Sequence, residues 1–350
     1  MEASGRARRT EIDVAKGFAL FLVIFGHIVT MHHTLFRWIF AFHMPAFFFL
    51  SGMTFRPEKY PDYGTYIKDK GKRLLIPYFA ITFGAMFICM LRPDYRLPIL
   101  ADGWRHQLKW IFYYTQPQNL YVGQIWFLVA LFVADLIALF WIRVFDQRSL
   151  LFRCYSLLLL AVAAVHIRRI FPYLPVGERL PWKIDSALGA SVFVIAGYYF
   201  NRYDILKRLK PAALFLIPVC TWLSFWFGPQ LSSYVNICDC SYSQTPYYYA
   251  AAFSGIMALL FGAQLCQNFR FWQFVGRYSM PLFAGQTFAI YFLVELYAKV
   301  TGITLIPLET MPGNLASLAL AIATLALMLA FVYPWHLWKG HSRAAATSNK

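Results

Sequence analysis

Residues 11–30 read EIDVAKGFALFLVIFGHIVT, an apolar stretch with Asp13 and Lys16 at its start and His27 well inside it. On a helix turning about 100° per residue, Lys16 and His27 project about 20° apart, and Asp13 about 40° to the other side of His27. All three therefore share one face. Lys16 and His27 are separated by roughly 16 Å along the axis, about half a bilayer core. That face joins the membrane surface to an imidazole near mid-membrane. A second apolar stretch follows at once, FRWIFAFHMPAFFFLSGMTF (36–55), with another imidazole, His43, and a small-residue end at Ser51 and Gly52.

The rest of the chain has the same character. Of its 350 residues 59% are hydrophobic and only 14% charged, against about half and about a quarter in soluble domains. This composition excludes an ordinary soluble domain and indicates an all-α, polytopic membrane protein. The first stretch is too long for a signal-peptide core and has no small-x-small cleavage site, so it reads as a retained span. The net charge of +16 is spread over short loops rather than gathered in one basic domain, which argues against nucleic acid. With the N-terminus cytoplasmic, about 22 basic residues fall inside and about 10 outside, the asymmetry that orients membrane proteins.

About ten spans are expected: 12–31, 36–55, 74–91, 124–142, 150–166, 184–200, 211–228, 247–267, 273–297 and 314–337. An even number puts both termini in the cytoplasm. Residues 1–338 then form one membrane domain, and 339–350 a disordered polar tail. Residues 92–123, outside in this topology, hold Trp104, His106, Trp110, Tyr113, Tyr114 and Tyr121, a composition that suits either a sugar-stacking lid or an interfacial aromatic belt. The loop 167–183 is basic on the supposed outer face, so either it binds something anionic or the topology shifts there. Cys238 and Cys240 share a loop where a strained disulfide is conceivable, and C-x-C alone does not make a metal site. No internal repeat is evident, which counts against a transporter of inverted halves.

Ionisable groups at membrane depth are rare and usually functional. A buried, uncharged His27 has the protonation state a general base needs, although a plain interhelical hydrogen bond is the rival reading. His43 divides between a chemical role and packing beside Pro45. Asp13 fits a capping box opened by Thr10 as N-cap, compatible with a further role in positioning. Lys16, Lys72 and Arg73 are either positive-inside anchors or a clamp for phosphates. Asp135 lies inside the fourth span. Asp185, at the outer end of the sixth, needs a partner such as Lys183 or Arg179. Trp126 opens the fourth span.

These stretches resemble the acyltransferase-3 family of integral membrane acyltransferases, and within it the fucose 4-O-acetylase-like branch. The likeness rests on Ile12-Asp13-x-x-Lys16-Gly17 with Gly26-His27, then FHMPAFFFLSG (42–52), KRLLIPY (72–78), IWFLVALF (125–132), LPWKIDSAL (180–188) with GYYF (197–200), and VGRYSMPLF (275–283). The resemblance implies a bundle of about ten helices that moves an acyl group, commonly acetyl from acetyl-CoA, to a sugar hydroxyl of an envelope polysaccharide or glycolipid in the cytoplasmic membrane. It makes His27 the essential base, with His43 and Asp13 assisting. Lys16 stands where the family often has Arg. Lys72 and Arg73 match a basic pair that would hold the acyl-CoA, and Asp185 and Trp126 become acceptor contacts. Gln286 stands where the branch often has His. No resident cofactor, metal or nucleic acid is implied; acetyl-CoA enters as a substrate. A flippase for a lipid-linked sugar, or a non-catalytic partner in polysaccharide assembly, is the alternative.

Overall fold

Backbone in hydrocarbon must close its hydrogen bonds within each segment, which helices do. The computed structural model describes residues 9–31, 33–91, 103–117, 120–173, 179–228, 235–242, 245–303, 309 and 315–348. Arg6 to Arg8 and residues 92–102 of the aromatic-rich loop lie outside the described residues. The long helices are α1 (Thr10–Gly26), α2 (Thr34–Thr54), α3 (Tyr63–Leu91), α4 (Trp126–Phe145), α5 (Leu150–His166) and α6 (Ile184–Arg202). Then come α7 (Ala213–Phe227), α8 (Thr245–Leu265), the short α9 (Arg270–Arg277), α10 (Ser279–Thr301) and α11 (Leu315–Ser348).

Eight of these are long and apolar enough to cross a membrane: α2, α3, α4, α5, α7, α8, α10 and α11. The other two of the expected ten are α1, only 17 residues long, and α6, which carries Asp185 in its first turn and Arg202 in its last. The fold is the expected all-α polytopic bundle. Several boundaries differ from expectation. α1 stops at Gly26 rather than at 31, and α11 continues to Ser348, through most of the stretch expected as a disordered tail. α3 begins at Tyr63, well before residue 74, because Asp62 caps it: its Oδ1 accepts from the Thr65 N–H at 2.8 Å and its Oδ2 from the Thr65 hydroxyl at 2.7 Å. The ninth span is two helices, α9 and α10, broken at Tyr278 (φ −103°, ψ 19°).

The chain divides into two compact units, Met1–Phe36 with Gly262–Lys350, and Arg37–Phe261. In the first, α1 lies along α9 and also meets α10 and α11, while α10 and α11 pack on each other. The crossing of α1 and α9 is made by Gly17 and Gly276. A Cβ on Gly276 would stand 1.6 Å from the Asp13 carbonyl oxygen, and one on Gly17 2.7 Å from that of Trp272. In the second unit, α4 and α6 form the centre, with α3 against α4 and α5 against α6. There α2 crosses α6 at Gly52 and Gly197: a Cβ on Gly52 would lie 2.0 Å from the Val194 oxygen, and one on Gly197 2.1 Å from the Phe49 oxygen. Backbones in hydrocarbon approach this closely only over small residues. The peripheral helices of this unit turn large apolar side chains outward, among them Phe87 on α3, Leu151 on α5 and Phe215 on α7, as lipid contact requires.

Candidate active site

His27 stands at the C-cap of α1 rather than well inside it. The helix ends at Gly26, and the imidazole takes over a carbonyl of the last turn: Nδ1 meets the Val23 oxygen at 2.7 Å, beside the His27 backbone N–H at 3.0 Å. A carbonyl only accepts, so Nδ1 carries the hydrogen. In the neutral ring Nε2 then bears the lone pair. The side chain is half-buried. Sequence periodicity put His27 on the same helix as Lys16 but could not show where that helix stops.

Asp13 is buried and Lys16 half-buried, both in α1. The capping box is not formed. Thr10 is the first helical residue, Arg9 is the N-cap without a side-chain cap bond, and Glu11 is instead paired with Arg9 Nε at 2.6 Å. Asp13 sits at the α1–α9 crossing, its carbonyl oxygen facing Gly276. Asp13, Lys16 and His27 thus share one element and one unit. The remaining expected site residues belong to the other unit.

In that unit His43 is only 2% exposed. Its Nδ1 donates to the Ile39 carbonyl at 2.7 Å, and the Phe40 ring meets it edge-on at 4.6 Å. Lys72 and Arg73 are exposed, with Arg73 3.2 Å from Asp69. The inward-facing base of this stretch is Lys70, which the sequence reading passed over. Its ammonium lies 2.5 Å from Asp135 Oδ2, whose other oxygen accepts from Ser51 at 3.4 Å. Lys70 falls on the i, i+4 stripe Tyr66, Lys70, Leu74, Tyr78, and the other three residues are buried. That stripe was the signal that would have found it.

Asp185 is buried and paired with Arg179 Nε at 3.0 Å. Arg179 also donates to Asp239 at 3.0 Å, to Ser186 at 3.3 Å and to the Cys238 carbonyl. Burial opposes the guanidinium charge, but Asp185 and the neighbouring cysteines outweigh it, and the pKa of Arg179 lies above its ordinary value. Lys183, the other expected partner, does not reach Asp185. It is 1% exposed and donates to Gln116 Oε1 at 2.6 Å and to the Cys238 carbonyl at 3.3 Å, with its ammonium 5.9 Å from the Trp126 ring. Trp182 and Lys183 both adopt left-handed backbone, φ 56° and 55°, which aims the ammonium inward at a steric cost. Two of the basic residues that made loop 167–183 anomalous are therefore turned inside, while Arg168 and Arg169 are exposed. Cys238 and Cys240 carry buried free thiols, both pushed up to about 12 by burial.

Among the aromatic residues of the long loop, Trp110 packs on Tyr114 at 4.7 Å and faces His106 at 6.0 Å, whereas Trp104 is exposed.

A family model described as an acyltransferase domain, acyltransferase-3, matches residues 9–340, nearly the whole chain. No curated protein matches the chain, and no solved structure does.

Proposed function

The chain belongs to the acyltransferase-3 family and is a multi-pass membrane acyltransferase, and from that premise we propose that it moves an acetyl group from cytoplasmic acetyl-CoA to a sugar hydroxyl of an envelope polysaccharide or glycolipid in the cytoplasmic membrane. The observation that carries the reading is the tautomer of His27. With Nδ1–H held by the Val23 carbonyl, Nε2 is the basic nitrogen and its ring orientation is set before substrate arrives.

In the proposed reaction Nε2 takes the proton of the acceptor hydroxyl as its oxygen attacks the thioester carbonyl carbon. The carbon–sulfur bond then breaks, and the CoA thiolate leaves with the proton returned from Nε2. The products are the sugar ester and CoA, and the imidazole ends neutral. Lys16 lies about 16 Å back along α1 at 1.5 Å per residue, a fitting counter-charge for the donor's phosphates. In the other unit, the exposed Lys72 and Arg73 are further cations suited to phosphate, Arg73 as a planar fork and Lys72 as a point charge. His43, holding the same tautomer as His27, suits orientation of a hydroxyl. Asp185 is engaged by Arg179, so its proposed part in acceptor binding is to hold the loop beside Trp126.

The test is label transfer from radioactive acetyl-CoA to glycan acceptors by the purified protein, wild type against His27→Ala. Transfer lost in a folded His27→Ala protein supports the proposal. Equal transfer by both removes His27 from the mechanism, and acceptor binding with no transfer by the wild type would favour the flippase. Reporter fusions at residues 64, 173 and 345 check sidedness; a cytoplasmic 173 overturns the topology.

A further inference from the structure

Before α8 the chain makes a small closed loop at residues 235–242. Asn236 and Ser241 exchange backbone hydrogen bonds across it, N–H to carbonyl, at 2.9 and 3.0 Å. Arg179 and Ser186 pin the loop to the start of α6. Arg179 donates to Asp185 and to Asp239, both at 3.0 Å, and the Ser186 hydroxyl donates to the Cys238 carbonyl at 2.9 Å. Tyr242 leaves this loop with its phenol tip laid on Gly189 of α6. A Cβ on Gly189 would stand 2.2 Å from the Tyr242 hydroxyl, so glycine leaves the room that this oxygen takes up. The Tyr242 ring packs on that of Tyr248, in the first turn of α8, with centroids 5.2 Å apart and planes at 50°.

Both phenol oxygens are buried, and neither has a hydrogen-bond partner among the described residues. Tyr249, one residue on, shows the ordinary arrangement: its hydroxyl donates to the Ala161 carbonyl at 3.3 Å. A buried Tyr hydroxyl usually finds a partner, and an unmatched one carries a desolvation cost that phenylalanine would avoid. Two unmatched hydroxyls on rings in contact mark a place built for a group that is not part of the chain. Tyr248 is 0% exposed, whereas Tyr242 is half-buried. The Tyr242 side chain is therefore the outer wall, and its rotation opens the space above Gly189. The charges of the loop and its anchor match in number among the described residues, Arg179 and Lys183 against Asp185 and Asp239. What suits two phenols in a neutral setting is an uncharged group that both donates and accepts and has apolar faces to lay on aromatic rings. A sugar ring with free hydroxyls meets each requirement.

We propose that Tyr242 and Tyr248 form an acceptor subsite that holds two hydroxyls of a neutral hexose unit, other than the one acylated, with Tyr242 turning outward to admit the ring. The assignment rests on the acyl-transfer function proposed above and narrows its acceptor to an uncharged sugar. No bond forms or breaks at this subsite; the phenols keep their protons and hold the ring in place.

The test compares wild type, Tyr242→Phe, Tyr248→Phe, the double variant and His27→Ala in the full-length detergent-purified protein. The donor is labelled acetyl-CoA, and the acceptor probes are p-nitrophenyl hexosides of gluco, galacto and fuco configuration together with the glucuronide. Expected for each single Phe variant is a thermal midpoint at or above that of wild type and a donor KM within about threefold. Acceptor kcat/KM on the best hexoside should fall by about three- to tenfold in each, and further in the double variant. Phe variants with wild-type acceptor kcat/KM overturn the proposal, and a lowered midpoint beside those unchanged kinetics assigns the phenols to an internal water instead. A wild type that prefers the glucuronide to every hexoside also overturns it, as does one that acetylates glycan acceptors but none of these hexosides. The two readings fail separately: full transfer by His27→Ala ends the proposed function itself, whereas an inactive His27→Ala beside unimpaired Phe variants ends only this inference.

Discussion

Replacing Lys70 by Met removes one half of a desolvated ion pair and leaves the other half with almost nothing. Asp135 has no exposed surface, against 18% for Lys70, and the two charges are 2.5 Å apart. Without the ammonium, the carboxylate keeps, among the described residues, only the Ser51 hydroxyl, at a long 3.4 Å. Breaking a buried pair in this way costs about 3–5 kcal/mol, because an uncompensated charge stays behind. Asp135→Asn should cost less, since the partly exposed Lys70 can extend its ammonium toward water along its apolar stem. The double variant Lys70→Met/Asp135→Leu removes both charges, and its stability should return to the wild-type level or above it. The assay is thermal unfolding in detergent, followed by tryptophan fluorescence on protein that elutes as a single folded species. The expected order of midpoints is double variant at or above wild type, then Asp135→Asn, then Lys70→Met. A Lys70→Met protein within about 0.5 kcal/mol of wild type, a surface-bridge value, would refute the claim that this pair is buried and mutually dependent.

Gly197→Ala should destabilise by about 1–3 kcal/mol, because its Cβ would meet the Phe49 backbone at 2.1 Å, whereas Gly262→Ala, with nothing within 4 Å, should be neutral or slightly stabilising; paired thermal melts check this. Cys238 and Cys240, with pKa values near 12, hold a thiolate fraction of about 10⁻⁴ at pH 8, against about a quarter for an ordinary thiol. A pKa raised by burial disfavours the reactive anion until the pH approaches 12, so maleimide labelling at pH 8, read by mass spectrometry, should be slow in the native protein and fast after denaturation. Equal rates in the two states would contradict the burial. Arg179→Lys keeps the charge but cannot serve Asp185, Asp239, Ser186 and the Cys238 carbonyl together, so it should lower the melting midpoint and speed alkylation of Cys238.

Much of the architecture was legible in the order of residues because hydrocarbon imposes long apolar helices and few charges. The bundle, its approximate number of spans, and Asp13, Lys16 and His27 on one helix all follow from periodicity. The misreadings came where a local rule met a tertiary partner. Thr10 looks like an N-cap by its spacing to Asp13, yet the helix is begun by Arg9 and Asp13 is placed by its crossing with Gly276. Residues 56–73 look like a polar loop by composition, but most of them form the start of α3, because Asp62 caps that helix and Lys70 has a buried carboxylate waiting on α4. The glycines of the motifs around 17, 52, 197 and 276 stand out only as isolated small residues until the crossings show which pairs with which.

Sequence alone determined that this chain spans a membrane and carries a histidine within a mostly apolar segment, since composition and helical spacing are properties of the chain before it folds. Tertiary structure alone decided which distant polar groups are paired, as Lys70 is with Asp135 and Arg179 with Asp239, and that the buried amide of Gln286 has no partner among the described residues. Those outcomes depend on distances between segments far apart in sequence, and a hydrogen bond or a glycine contact exists only when both of its sides arrive.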